Sequence, residues 1–398
     1  MELAESKAWQ QYQAIYVHIP FCKQKCLYCD FASYACFGER EMRAYTDALR
    51  HEIEVRAEEA TNVASGATIY FGGGTPSVLP TDCLERIVST MKSCGFWQKP
   101  AEATIEVNPG TADVNKLKRL CEAGFDRISF GVESLQDEEL RTIGRIHNAE
   151  EALIAIDMAR TAGFRRISCD LIYGLPGQNL ASLKDTIYKL TKTGIEHMSV
   201  YGLIVEEGTP LERLVTSGRM VLPDEDIAAD MYELVQRLLA EAGFERYEIS
   251  NYAKNGQYSR HNTVYWQYHP YIAFGAAACG FDSLKRRTAA STVPEYIAAA
   301  QALTSANWRT SELYTSEGLT IQQQLEEFMF MGLRRAAGAD LAEARARFGV
   351  DVWQRYGLQL EPIIKKGLAR YDGDKQRLWL TPKGMEIGNQ IFAIFVDA

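Results

Sequence analysis

A repeated alternation of short strand-like runs and helical segments constrains the fold of this chain most. From Tyr12 to about Phe244, runs of β-branched and aromatic residues end in Gly, Pro or a polar residue, and helical segments such as Glu150–Ala162 separate them. The predicted strands are Ala14–Ile19, Thr68–Phe71, Thr104–Val107, Arg127–Val132, Arg166–Ile172 and His197–Ile204. Such units predict an α/β fold with parallel strands, which either close toward a barrel or form an open doubly wound sheet.

Unusual residues follow the predicted strands directly. Cys22 follows the first strand, Gly72–Gly74 the second, Asn108 and Pro109 the third, and Glu133 the fourth. In both candidate architectures, ligands bind at the carboxyl ends of the strands. We therefore expect the loops after these strands to form a binding site.

The sequence pattern changes after about residue 245. An aromatic-rich stretch, Tyr247–Phe281, precedes a helical region and a short hairpin. The predicted helices are Ile321–Ala336, Leu341–Phe348 and Gln354–Lys366, and the predicted hairpin strands are Leu368–Tyr371 and Leu378–Leu380. Together they resemble a winged helix. We thus predict three regions: the strand–helix repeat at 12–245, an aromatic-rich connecting region at 246–310, and a smaller C-terminal α+β domain at 311–398.

Composition excludes several classes of protein. The 398 residues are 46% hydrophobic and 24% charged, as in ordinary globular proteins, and the net charge is −9. Because phosphate binding needs clustered Lys and Arg, the acidic balance argues against a nucleic-acid partner, even for a winged helix. Met1–Gln13 lacks an apolar signal segment, and no window resembles a membrane span. We expect a cytoplasmic protein whose membrane contact, if any, is peripheral.

Three of the nine cysteines form a cluster after the first strand, Cys22-x-x-x-Cys26-x-x-Cys29, and the scattered others are expected to be core thiols. Disulfides are not expected in a cytosolic protein. Three close thiolates can hold a [4Fe–4S] cluster, and the missing fourth cysteine leaves one iron open to another ligand. The alternatives are three unrelated core cysteines, or a zinc site with His18 as fourth ligand.

This cysteine spacing resembles that of the radical S-adenosylmethionine (radical SAM) superfamily, and Gly72-Gly73-Gly74-Thr75-Pro76 matches the companion motif of the superfamily. The resemblance implies a partial (β/α)6 radical SAM barrel, a [4Fe–4S] cluster on Cys22, Cys26 and Cys29, and SAM bound to the open iron. In that superfamily the glycines let the backbone reach the amino group of SAM, because a Cβ would block the approach.

Over most of the chain, the similarity narrows to the anaerobic coproporphyrinogen oxidase family. This resemblance implies contacts to SAM from Tyr16, Tyr28, Gly73, Gly74, Thr75, Glu106, Glu133, Arg145, Asp170 and Ile204. The Glu106 carboxylate can accept hydrogen bonds from ribose hydroxyls. Glu133 departs from the family pattern, in which Gln is expected. For Arg145 and Asp170 the alternative role is an ion pair or cap beneath the strand ends.

Two functions compete within this family. One is an oxygen-independent oxidase that decarboxylates coproporphyrinogen III to protoporphyrinogen IX, and the other is a haem chaperone that delivers haem to acceptor proteins, respiratory haemoproteins among them. The oxidase pattern has a further cysteine where Phe31 stands, and a long N-terminal extension where only Met1–Ala14 precede the core of the first strand. Both differences favour the haem-chaperone branch, for which we assign no catalytic residue. A radical SAM enzyme with another substrate is the third hypothesis.

A further motif, His261-Asn262-x-x-Tyr265-Trp266, resembles the haem-chaperone branch and implies that His261 binds haem. Imidazole is a common axial ligand of haem iron, and aromatic rings suit the face of a porphyrin. The alternative is a hydrogen-bonded core or surface histidine. His269 is a second candidate ligand, but nothing in the sequence selects it.

Overall fold

The computed structural model describes residues 8–396. Its first part alternates strands and helices: β1 (Tyr12–Ile19), α1 (Glu39–Val55), β2 (Val63–Gly73), α2 (Thr81–Ser93), β3 (Ala103–Val107), α3 (Val114–Ala123), β4 (Arg127–Glu133), α4 (Asp137–Thr142), α5 (Ala149–Ala162), β5 (Arg166–Tyr173), α6 (Leu180–Lys192), β6 (His197–Gly202), α7 (Pro210–Thr216) and α8 (Glu225–Glu241). The six predicted strands are confirmed. The largest difference is in β2, which begins at Val63 rather than Thr68.

The aromatic-rich stretch also contains strands, which the sequence pattern did not predict. The elements of this stretch and its flanks, residues 245–318, are β7 (Glu245–Arg246), β8 (Asn251–Ala253), α9 (Arg260–Trp266), β9 (Tyr271–Phe274), β10 (Cys279–Phe281), β11 (Lys285–Ala289), α10 (Val293–Gln301) and β12 (Tyr314–Gly318). They join the first six strands in one sheet with the order β12-β11-β10-β9-β1-β2-β3-β4-β5-β6-β8-β7. Strands β1 to β6 are parallel neighbours, and β9 pairs in parallel with β1. The sheet therefore crosses the predicted boundary at 245, and the three-part division stays a prediction.

The parallel strands have one apolar face and one polar face. On β2, Ile69 and Phe71 belong to the core that packs against the surrounding helices. The alternate residues, Thr68 and Tyr70, bond instead with polar groups on the other face. This period of two continues in register from β3 to β6, where the opposite face carries Thr104, Glu106, Arg127, Ser129, Ser168, Asp170, His197 and Ser199. The inner face of the partial barrel is therefore polar.

Local sequence signals explain where the helices begin and end. The Asn148 side chain accepts a hydrogen bond from the backbone N–H of Glu151 at 2.9 Å, and the Glu151 carboxylate accepts one from the Asn148 backbone at 2.9 Å. This capping box starts α5. The helix ends at Gly163, whose φ of 105° lies in the left-handed region that glycine adopts without strain.

The C-terminal part is a small α+β unit. Its elements are α11 (Ile321–Leu333), β13 (Ala339–Asp340), α12 (Leu341–Phe348), α13 (Val352–Lys365), β14 (Ala369–Asp372), β15 (Arg377–Leu380), α14 (Pro382–Glu386) and α15 (Gly388–Phe392). The three strands form an antiparallel sheet in the order β13-β15-β14. Three helices followed by a hairpin confirm the predicted winged-helix-like arrangement, with α11 ending at Leu333 rather than Ala336. The predicted fold class is confirmed.

The C-terminal unit also packs on the aromatic-rich stretch. Its apolar core contains Tyr268 and Phe281 from the aromatic-rich stretch.

No helix within residues 8–396 is both long enough and apolar enough to cross a membrane.

A buried ion pair joins distant segments around α1. Glu52 is fully buried, and it accepts hydrogen bonds from Arg56 at 2.8 Å and from the Tyr296 hydroxyl at 2.5 Å. It also accepts hydrogen bonds from the Gly275 backbone at 3.0 Å and the Tyr314 hydroxyl at 2.7 Å. One carboxylate therefore ties α1 to α10, to β12 and to the loop after β9.

We predict that Glu52→Ala lowers the free energy of unfolding by about 3–5 kcal/mol. The buried Arg56 guanidinium would keep Glu59 but lose its second carboxylate, and the Tyr296 and Tyr314 hydroxyls would lose their acceptor. Urea unfolding followed by circular dichroism measures the change. The matched control is Glu54→Ala on the same helix, whose half-exposed carboxylate lies 3.7 Å from Arg50 and whose loss should cost less than about 1 kcal/mol. Equal losses for the two variants would contradict the prediction.

Candidate functional site

The cysteine cluster lies on the loop after β1, above the polar face of the sheet. Cys22, Cys26 and Cys29 are partly buried free thiols. Two of them have neighbours from other loops, since the Thr75 hydroxyl donates to Cys22 Sγ at 3.5 Å and Arg145 Nη1 donates to Cys26 Sγ at 3.4 Å. Burial raises the pKa of the Cys22 and Cys29 thiols, which a bound cation would lower again.

His18, the fourth ligand in the zinc alternative, has other partners. Its Nδ1 bonds with the Tyr16 hydroxyl at 3.0 Å, and its Nε2 bonds with the Ala32 carbonyl at 2.9 Å. Among residues 8–396, no three His, Cys, Asp or Glu side chains are arranged to hold a single metal ion. His18 therefore holds the cysteine loop in place through Ala32 and is not positioned as a fourth metal ligand.

The glycine motif packs tightly against this loop. A Cβ on Gly73 would lie 2.5 Å from the His18 ring, and one on Gly74 would lie 2.8 Å from the Phe21 carbonyl oxygen. Gly73 also has a φ of 110°, which favours glycine. The backbone N–H groups of Gly74 and Thr75 donate to Ile19 and Phe21 at 2.9 and 2.7 Å. The glycines are thus needed for packing against the cysteine loop, in addition to any approach to a ligand.

A cavity of about 350 Å³, here called the barrel cavity, opens beside the cysteine loop. This volume lies within the range of about 300–1,000 Å³ that is typical of small-molecule sites. Three predicted contact residues line it with carboxylates: Glu106, Glu133 and Asp170. Its other lining residues are Tyr28, Asp30, Phe31, Tyr70, Arg127, Ser129, Ile172, Ser199, Tyr201, Gly202, Leu203, Ile204, Glu206 and Asn262.

The carboxylates of the barrel cavity are buried, and the nearby Arg127 and Arg145 charges offset the cost of their burial only in part. Glu106 accepts from the Tyr70 hydroxyl at 2.6 Å and from the Gly73 backbone at 3.2 Å. Burial raises the pKa of Glu106 and of Glu133 to about 7, and it also raises the pKa of Asp170. A cavity with desolvated carboxylates suits a cationic ligand that carries many hydrogen-bond donors.

Arg145 connects the cavity to the cysteine loop. Its Nη2 donates to Asn108 Oδ1 at 2.8 Å and to the carbonyl of Gly131, and its Nη1 lies 3.6 Å from Glu133 Oε1. Its Nε is buried and has no hydrogen-bond partner within residues 8–396. The ion-pair alternative for Arg145 is therefore present in the structure, together with its contact to Cys26.

The remaining predicted contacts lie around the same cavity. The Tyr28 hydroxyl donates to Glu133 Oε1 at 3.2 Å, and Glu133 has a positive φ of 64° at an irregularity of β4. Tyr16 stacks on Tyr70 with the ring centroids 6.3 Å apart. Ile204, which follows β6, is 67% exposed at the cavity wall. Five of the ten predicted SAM-contact residues thus line the barrel cavity, namely Tyr28, Glu106, Glu133, Asp170 and Ile204. The other five, Tyr16, Gly73, Gly74, Thr75 and Arg145, contact residues of this lining or of the cysteine loop and its strand, and their contact with SAM stays a prediction.

His261 lies elsewhere, inside the partial barrel. Helix α9 packs against the polar face, where the His261 ring is 0% exposed and stacks on Tyr70. Its Nδ1 bonds with Thr68 Oγ1 at 2.8 Å, and its Nε2 bonds with the Tyr265 hydroxyl at 2.7 Å. Burial lowers its pKa to about 3. In this structure both ring nitrogens of His261 are engaged and the ring is buried, which is the hydrogen-bonded core histidine of the alternative reading. Its role as a haem ligand stays a prediction.

Sequence reasoning missed several residues of the barrel cavity. Tyr70, Arg127, Ser129, Ser199 and Tyr201 alternate with apolar residues in their strands. A polar residue at every second position of a predicted buried strand is the signal that could have identified them. Asn262 had no such signal for this cavity, because it comes from a helix about 60 residues beyond β6.

Comparisons with known proteins agree with this architecture. The model of the Radical SAM superfamily matches residues 16–190, and the model of the HemN C-terminal domain matches residues 319–387. The solved structure of coproporphyrinogen III oxidase (HemN) from Escherichia coli superimposes with a TM-score of 0.80, covering 99% of this chain and 93% of that one at 21% identity. Fold and motifs thus define a protein of the radical SAM class.

Curated relatives narrow the class to a family. The haem chaperone HemW of Lactococcus lactis is 34% identical over 97% of this chain and 98% of its own length. HemW of Bacillus subtilis is 35% identical over 96% of this chain and 99% of its own length. The chain belongs to the HemW family of radical SAM proteins. Membership of the superfamily implies a [4Fe–4S] cluster and SAM.

The donor set and the cavity fit these two groups. Three thiols on one short loop suit an iron–sulfur cluster with an open position. SAM carries a sulfonium and an ammonium charge with several hydroxyl and amino donors, which suits the carboxylates of the barrel cavity.

We predict that the contribution of Glu133 to stability falls as the pH rises from about 4.5 to about 7. Glu133 titrates near 4.5 when unfolded and near 7 when folded, so the folded protein binds more protons in this range. Glu133→Gln should therefore stabilise the ligand-free protein at pH 8, by up to about 3 kcal/mol, and have little effect at pH 4.5. Urea unfolding at both pH values measures this.

The matched control is Glu138→Gln at an exposed position of α4, for which we expect changes below about 0.5 kcal/mol at either pH. A stabilisation of Glu133→Gln that is the same at pH 4.5 and pH 8 would show that charge burial is not its cause.

Proposed function

We propose that this chain is a haem chaperone: it binds haem and transfers it to acceptor haemoproteins, and it carries a [4Fe–4S] cluster and SAM. The observation that carries the proposal is the near-full-length similarity to curated HemW proteins. Cytoplasmic location, peripheral membrane contact and respiratory acceptors belong to the same proposal.

In this proposal Cys22, Cys26 and Cys29 hold the cluster. Two neighbours adjust the thiolates, since the Thr75 hydroxyl and the Arg145 guanidinium donate to Cys22 and Cys26. Charge-assisted hydrogen bonds to sulfur lower the energy of the anionic form and shift the potential of a bound cluster. When bound, the cluster and SAM supply one-electron chemistry of their own.

The residues of the barrel cavity would bind and orient SAM. Glu106, Glu133 and Asp170 provide acceptors for its hydroxyl and amino donors, and their negative charge favours its cationic form. Tyr16, Tyr28, Gly73, Gly74, Thr75, Arg145 and Ile204 complete the set that the family resemblance indicates. Glu133 replaces a neutral Gln of the family pattern, so one further carboxylate faces the same ligand.

The alternative function is oxygen-independent coproporphyrinogen III oxidase, and the likeness to the E. coli enzyme at 21% identity concerns the fold alone. Phe31, which stands where the oxidase pattern has a cysteine, is 65% exposed at the barrel cavity. An apolar side chain in place of a thiol changes the chemistry available at that position.

We predict that Cys22→Ala, Cys26→Ala and Cys29→Ala each abolish the broad visible absorbance of the cluster after anaerobic reconstitution, because three thiolates are the minimum donor set here. The measured iron and sulfide contents should fall together with the absorbance. Cys36→Ala is the matched control, since Cys36 is exposed and lies outside the motif, and it should retain the full iron content. A motif variant with full iron content would remove the cluster from the proposal.

A second experiment separates chaperone from oxidase. We expect the reconstituted chain, given SAM, a reductant and coproporphyrinogen III, to release no protoporphyrinogen by chromatography. The same preparation should bind hemin and pass it to an apo-haemoprotein, which is followed by the change in the Soret band. Product formation would establish the oxidase, and failure to bind hemin would refute the chaperone.

A further inference from the structure

A second cavity lies where the C-terminal unit meets the aromatic-rich stretch, and we call it the junction cavity. Its volume is about 570 Å³, which is again within the range of small-molecule sites. Its lining residues include Trp266, His269, Phe328, Arg335, Glu343 and Arg377. None of these residues belongs to the barrel cavity or to the cysteine loop.

His269 faces the junction cavity with an imidazole that is not engaged. Its nearest polar contact within residues 8–396 is Glu343 Oε1, at 3.9 Å from Nε2, which is too long for a hydrogen bond. Glu343 is itself paired with Arg347 at 3.2 Å. Burial, with the nearby Arg347 and Arg335 charges, lowers the pKa of His269 to about 4. The ring is therefore neutral near pH 7, and a lone pair is available for a metal.

Arg335 supplies a positive charge on the same wall. Within the described residues its guanidinium makes no hydrogen bond and no ion pair shorter than 4 Å, and Glu343 and Asp340 attract it only from a longer distance. Burial and the nearby Arg377 lower its pKa. The other ionised groups of the wall are already paired, since Arg377 bonds Asp340 at 3.0 Å. A partly desolvated guanidinium without a partner is a site for an anionic group, and a carboxylate is the anion that it binds bidentately.

The rest of the wall suits a flat apolar ligand. Trp9, Trp266 and Phe328 contribute aromatic surface, and the Trp266 indole N–H is buried with no acceptor within residues 8–396. Small residues form the remaining surface, namely Gly332, Gly338, Ala339, Ala342 and Ala346. Aromatic and small side chains together accommodate a planar ring system.

We propose that the junction cavity is the haem site, in which His269 ligates the iron and Arg335 binds a propionate. This inference rests on the proposed function, because it takes haem as the cargo. It assigns the ligand role to the second histidine of the aromatic-rich stretch and leaves His261 as a packing residue of the partial barrel. An iron porphyrin matches each feature of the cavity: a metal for the free imidazole, a carboxylate for the free guanidinium, and a planar apolar body between them.

The first test is a hemin titration of the full chain, with ligation read by magnetic circular dichroism. His269→Ala should raise the Kd of hemin by at least about tenfold, since even a group that only supports a metal ligand contributes 10–100-fold, and it should lose the spectral signature of histidine ligation. Added imidazole should restore that signature by entering the vacated volume. His51→Ala is the matched control, because His51 bonds the Leu303 carbonyl far from the junction cavity.

The second test addresses the propionate. Arg335→Gln should weaken hemin binding several-fold, whereas wild type and variant should bind hemin dimethyl ester with the same Kd, since the ester has no carboxylate to pair. A third variant, Ala346→Trp, should block the cavity without touching His269, and Arg345→Trp on the exposed side of α12 controls for the added indole.

The outcomes separate this inference from the function on which it rests. Wild type that binds hemin, with His269→Ala and Ala346→Trp unchanged in Kd and ligation spectrum, would overturn the junction site and leave the chaperone function standing. Wild type that binds no hemin would overturn both. Loss of binding in both variants, with folded circular dichroism spectra and normal controls, would establish the site.

Discussion

The buried carboxylate of Glu102 holds the interior of the partial barrel in place. It accepts hydrogen bonds from the backbone N–H groups of Arg260 and His261, each at 3.0 Å, and pairs with Arg166 at 2.8 Å. A negative charge at the first turn of a helix satisfies donors that would otherwise have no partner. Helix α9 is thereby fixed across the polar face of the sheet. This contact positions His261 against β2 and Asn262 at the barrel cavity, together with the Ser259 cap of α9 and the hydrogen bond between His261 and Thr68.

The polar interior explains why the site departs from ordinary rules of core formation. A fold that buries Glu106, Glu133 and Asp170 raises their pKa values and loses stability in doing so. Such conflicts between local preference and global fold are expected at functional sites. The apolar face of the same strands packs against helices in the usual way and supports this arrangement.

Much of the fold could be predicted from the sequence, because strand period, helix caps and turn residues are local signals. The cysteine loop and the glycine motif were found for the same reason. The strands of the aromatic-rich stretch were missed, since β9 is short and its pairing with β1 joins residues about 250 positions apart. The burial of His261 was likewise invisible, because Thr68, Tyr70 and Tyr265 surround it only after folding. A motif shows which residues occur together but not which of them face a ligand.

Helix α9 contributes to both cavities, because Asn262 lines the barrel cavity and Trp266 lines the junction cavity. A helix of seven residues is only about 10 Å long, and it is too short to absorb a displacement between its ends. A ligand that shifts this helix from one side changes the wall that the other ligand meets. Thermodynamic linkage makes any such effect reciprocal, so that each ligand alters the affinity of the other by the same factor. In the proposed function, haem binding in the junction cavity would therefore depend on whether SAM occupies the barrel cavity.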